Sequence, residues 1–71
     1  MIKDYTKAII REDYDKYYNY KDAPSLREYV ETEAENAPGF FAFLFQDSNI
    51  EGYSDLTEAQ KVEYKEYLNS L

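Results

Sequence analysis

The sequence predicts an all-α domain over residues 1–71: a compact four-helix arrangement whose third helix is short, aromatic and buried. Three observations carry this. Apolar residues recur at helical spacing in three separate segments, and helix-capping signatures stand ahead of two of them. The one strongly apolar run, Phe40-Phe41-Ala42-Phe43-Leu44-Phe45, has no second convincing strand with which to pair.

The first helix is expected over residues 3–20. Ile2, Tyr5, Ile9 and Ile10 hand over to Tyr14, Tyr17 and Tyr18 at steps of three and four. Asp4 near its start and Lys16 near its end suit the macrodipole. Pro24 disfavours helical geometry at Ala23 and so bounds the segment. Ser25-Leu26-Arg27-Glu28 then reads as a capping box opening a second helix. Its buried stripe is Leu26, Tyr29, Val30, Ala34 and Ala37, with Glu28, Glu31 and Glu35 on the opposite face.

Pro38 suits the first turn of the third helix, and the uncharged run that follows belongs at the centre of the fold. All four phenylalanines of the chain lie in it. The last helix is expected at roughly 56–70, with Asp55 and Thr57 competing as N-cap ahead of Glu58 and Gln60. Its core stripe is Gln60, Tyr64, Tyr67, Leu68 and Leu71, which leaves Val62 facing solvent. The core is thin, because a chain of this length buries only about 60–65% of its unfolded surface.

Composition bounds the chemistry. The chain contains no cysteine and no histidine, which removes disulfides, a thiol nucleophile, the commonest general base and the commonest transition-metal ligand. No apolar run approaches a membrane span, and the first residues do not open a signal peptide. An intracellular, cytoplasmic protein is the expectation. Its Lys, Asn, Ile, Tyr and Glu usage suits an AT-rich bacterial or phage genome. The net charge is −7, and residues 22–60 alone hold nine acids against Arg27. That field repels phosphate backbones and favours a protein partner with a basic surface.

Residues 47–58 stand apart. Asp47, Asn49, Glu51, Gly52, Asp55 and Glu58 occupy the first, third, fifth, sixth, ninth and twelfth of twelve positions. The stretch resembles an EF-hand calcium loop, in which hard Ca²⁺ takes six to eight oxygens from a loop that turns sharply at its glycine. The resemblance implies side-chain oxygens from Asp47, Asn49 and Glu51, the Tyr53 carbonyl, Asp55 through water and Glu58 with both oxygens. It departs at the fifth position, where Glu51 replaces Asp or Asn, and at the eighth, where Ser54 replaces a branched aliphatic. The same letters also read as a turn at Asp47 and Asn49, a positive φ at Gly52 and a helix cap from Asp55 and Glu58.

Nothing in the sequence marks a catalytic acid–base pair, an activated nucleophile or a glycine-rich phosphate loop, so neither an enzyme nor a cofactor is expected. The expected function is a non-enzymatic protein–protein interaction module. A protein of phage or mobile-element type acting on a basic or DNA-binding partner is a narrower version of it. Its surface would combine the ridge Glu28, Glu31 and Glu35 with exposed tyrosines. Four tyrosines between Tyr14 and Tyr20 cannot all face one core, and Tyr18 and Tyr20 are the interface candidates. Tyr14, Tyr17, Tyr29, Tyr64 and Tyr67 are assigned to the core. Calcium binding by residues 47–58 is the alternative.

Overall fold

A computed structural model describes the whole chain, Met1–Leu71. It is all-helical: α1 Asp4–Tyr17, α2 Leu26–Asn36, α3 Phe40–Phe45 and α4 Glu58–Asn69, with a single 3₁₀ turn at Tyr53–Asp55. The α2 helix packs on α1, α3 and α4, so it is the shared wall of the molecule.

The α1 helix stops at Tyr17, three residues earlier than the periodicity suggests, and the Tyr18 N–H closes its last turn on the Tyr14 carbonyl. Its buried residues are Thr6 and Ile10, and Ile2, just ahead of the helix, continues the row at the same step of four. Tyr17, assigned to the core, is exposed instead, as are Tyr5 and Ile9 of the apolar pattern. Tyr5 and Ile9 lie to one side of the row that meets the other helices, and the thin body leaves that flank bare. Tyr17 continues the row but sits at the last residue of the helix. Thr6, the residue that replaces them, has its Oγ1 buried without a hydrogen-bond partner.

The α2 helix opens as expected, with Ser25 Oγ accepting from the Glu28 N–H at 3.1 Å. Only this arm of the anticipated box is formed, which leaves the Glu28 carboxylate at the surface. Val30 is fully buried at its centre. The chain then turns through Pro38 and Gly39, whose φ of +83° is a left-handed geometry that glycine adopts without strain. Pro38 thus lies in the turn and not in the first turn of α3.

Phe41, Leu44 and Phe45 of α3 are buried, but Phe43 is 38% exposed and Phe40 half-buried. The central helix is therefore covered on one side only. A domain with 11 buried residues of 71 has no further layer to lay over its outer face. Its C-terminus closes with Gln46 at φ +54° and the Asp47 N–H bonding the Ala42 carbonyl at 2.9 Å.

Two apolar residues of the following loop, Ile50 and Leu56, are buried and complete the core together with Tyr67 and Leu68 of α4. Gly52 has φ −164°, an extended geometry open to any residue, so the positive φ expected there is not adopted. The N-cap of α4 is Thr57, not Asp55. Its Oγ1 accepts from the Gln60 N–H at 3.1 Å, and Gln60 Oε1 accepts from the Thr57 N–H at 2.9 Å. Leu71, assigned to the core stripe, lies beyond the helix end and is 40% exposed. Val62 is 56% exposed, as its position off the stripe predicts. No helix is long and apolar enough to cross a membrane.

Candidate functional site

The α2 helix carries Glu28, Glu31, Glu33 and Glu35 against a single base, Arg27. Tyr29 and Glu33 edge towards α1, while Glu31, Ala34 and Glu35 edge towards α3 and α4. Glu28, Glu31 and Glu35 are exposed, so the ridge read from the sequence is a real surface. Arg27 screens part of it, its Nε standing 3.7 Å from Glu31 and its Nη1 donating to Asn69 Oδ1 at 3.3 Å.

A cleft of about 250 Å³ lies against this ridge, between α2 and α4. Ala34, Phe41, Tyr64 and Leu68 form its apolar floor, with Glu31 and Glu35 on one rim and Tyr53 on the other. Phe41 and Tyr64 meet edge-to-face at 5.0 Å, which holds both rings in place. Tyr53, Tyr64 and Leu68 also line a neighbouring cleft of about 340 Å³ that extends to Val62, Lys61 and Lys65. The apolar floor therefore continues along α4.

The tyrosines at the other end form a separate cluster. Tyr14 stacks on Tyr18 at 5.6 Å, and Tyr18 lies 5.1 Å from Tyr29 and 6.1 Å from Tyr20. The Tyr14 hydroxyl donates to the Pro24 carbonyl and ties α1 to the turn before α2. Tyr20 is exposed, as an interface candidate should be, whereas Tyr18 is half-buried among three other rings. Tyr14 is half-buried in this satellite cluster, outside the main core, whereas Tyr29, also half-buried, packs against the core as well.

Next to it, Asp13, Tyr17, Tyr18, Tyr29 and Glu33 line a pocket of about 550 Å³ between α1 and α2. Sequence reasoning missed this pocket. The available signal was two pairs at i,i+4, Asp13 with Tyr17 and Tyr29 with Glu33, which set an acid above a ring on each facing helix.

Burial pushes up the phenols of Tyr29, Tyr64 and Tyr67. Glu33 and Asp13 add to the effect at Tyr29, and Glu31 adds to it at Tyr64. These rings are neutral at neutral pH and present faces and hydroxyls, not phenolates.

The loop of the alternative calcium reading does not converge. Asp47 Oδ1 accepts from the Asn49 N–H at 3.0 Å, and Asp55 Oδ2 accepts from the Glu51 N–H at 2.8 Å. Tyr53 begins the 3₁₀ turn, Asn49 and Glu51 are exposed, and Glu58 pairs with Lys61 at 3.4 Å. No three acidic side chains of the chain gather in a group that could hold a metal ion. The carboxylates are drawn to backbone N–H groups and to a neighbouring ammonium, which satisfies them locally. Comparison with protein families, with curated proteins and with solved structures gives no match.

Proposed function

We propose that this chain is a non-enzymatic protein–protein interaction module that binds a basic, amphipathic segment of another protein along α2. One observation carries the reading: the exposed carboxylates of Glu31 and Glu35 rim an apolar cleft floored by Ala34, Phe41, Tyr64 and Leu68. Apolar side chains of a partner would fill the cleft while its Lys or Arg residues meet the rim, the division of labour usual between the centre and edge of an interface. The acidity of α2 favours protein over nucleic acid as the partner, because phosphates would be repelled from the same rim. An intracellular setting belongs to the same proposal.

The test is a titration of isotopically labelled protein with a synthetic amphipathic helix bearing lysines on its polar face. Amide shifts should concentrate on α2 and the facing part of α4. Replacing Glu28, Glu31 and Glu35 together by Lys should abolish them while leaving the melting temperature nearly unchanged. Shifts spread evenly over acids outside α2 and α4, such as Asp4 and Glu12, would show nonspecific charge attraction and defeat the reading. So would binding indifferent to both the triple substitution and salt.

A further inference from the structure

The pocket between α1 and α2 differs in kind from the cleft on the other side of α2. Three of its five lining residues are tyrosines, the other two are acids, and no base lines it. The rings of Tyr18 and Tyr29 stand 5.1 Å apart and tilted by 53°, so they form two walls of an angle instead of a flat stack. Tyr14 lies 5.6 Å from Tyr18 and 5.7 Å from Tyr29, so it packs against both walls and fixes their orientation. Asp13 enters from α1 and Glu33 from α2. Both residues line the pocket, and neither carboxylate takes part in any of the four ion pairs of the protein. Lys16, outside the pocket lining, sets its ammonium 5.4 Å from the ring of Tyr17, the third tyrosine of the lining.

Aromatic faces attract cations through the ring quadrupole, and a carboxylate at the edge adds Coulomb attraction and hydrogen-bond acceptance. A guanidinium suits the combination better than an ammonium. It is planar and can stack on one ring while its fork reaches a carboxylate, and it sheds water more readily. We propose that this pocket anchors one arginine side chain of a protein partner, its guanidinium stacked against Tyr18 and Tyr29 and held between Asp13 and Glu33. The inference rests on the reading of a basic partner but uses a different face of α2, so the two can fail separately.

The probe is acetyl-arginine amide, followed through the ring resonances of Tyr18 and Tyr29. Those resonances should shift saturably, and acetyl-citrulline amide, the same shape without the charge, should leave them in place. Tyr18→Leu and Glu33→Gln should each weaken binding by about two- to fivefold. Asp13→Asn, a change at an exposed position that leaves the ring cluster intact, guards against a loss caused by unfolding and should weaken binding within the same range. Equal binding of the citrulline compound, or of acetyl-lysine amide, would overturn the proposal, since shape or bare charge would then suffice. A silent pocket in a protein whose α2–α4 cleft still binds the amphipathic helix overturns the arginine site alone. Arginine binding that survives the triple substitution of Glu28, Glu31 and Glu35 supports it independently of the cleft.

Discussion

Leu44→Ala separates burial from mere hydrophobicity in the central helix. Leu44 is fully buried, and the substitution deletes three carbons, worth about 2.4 kcal/mol at about 0.8 kcal/mol each. A cavity term raises the cost into the range of about 2–5 kcal/mol. At about 0.05–0.15 kcal/mol per residue, a chain of 71 residues has about 4–11 kcal/mol of stability in all. A loss of about 3 kcal/mol should lower the melting temperature by about 12–24 °C. The control is Phe43→Ala one position earlier. Phe43 is the larger side chain, but it is 38% exposed and leaves no enclosed cavity, so about 1 kcal/mol is expected. Thermal melts by circular dichroism at 222 nm, with urea midpoints as a second measure, give both numbers. By size alone Phe43→Ala would be the worse change. If it costs as much as Leu44→Ala, or if Leu44→Ala melts within a few degrees of the parent, the packing described for α3 is wrong.

Thr6→Val keeps the shape of a buried side chain and removes a hydroxyl that has no partner, so stability should rise by about 1 kcal/mol; a loss in urea unfolding would reveal a hydrogen bond to that hydroxyl. The phenols of Tyr29, Tyr64 and Tyr67 are raised in the fold, chiefly by burial, so unfolded chains give up these protons first as pH rises. The stability they contribute is intact below the ordinary tyrosine value near ~10 and is lost on going above it. Urea midpoints should therefore fall as pH climbs past that value, with tyrosinate absorbance at 295 nm reporting the ionisation; midpoints unchanged there would contradict the burial of these rings. Calcium at millimolar concentrations should leave the melting temperature of the protein and of Glu58→Gln unchanged, because Asp47 and Asp55 are engaged with backbone N–H groups. A calcium-dependent rise lost in Glu58→Gln would restore the EF-hand reading.

Fold class and most element positions were legible because they depend on local rules. Ser25 and Thr57 cap where their spacing to Glu28 and Gln60 says they should, and the aromatic run is a helix because nothing exists for it to pair with as a strand. The acidity of α2 is likewise a property of the letters, since Glu28, Glu31 and Glu35 fall opposite Val30 at helical spacing whatever surrounds them. Depth was not legible. Tyr5 and Ile9 satisfy the helical pattern as well as Ile2 and Ile10 do, and only the direction from which α2 and α4 approach α1 decides which row is covered; Tyr17 shares that row but lies at the helix end. The carboxylates of residues 47–58 could have turned inward to an ion or back to the chain, and the local path through an extended Gly52 and the 3₁₀ turn sends them to the backbone. The pocket of Asp13, Tyr18, Tyr29 and Glu33 likewise exists only because two helices meet there. Periodicity fixes which residues share a face of one helix, whereas a site between two helices depends on their relative placement, which is set by how the whole core packs.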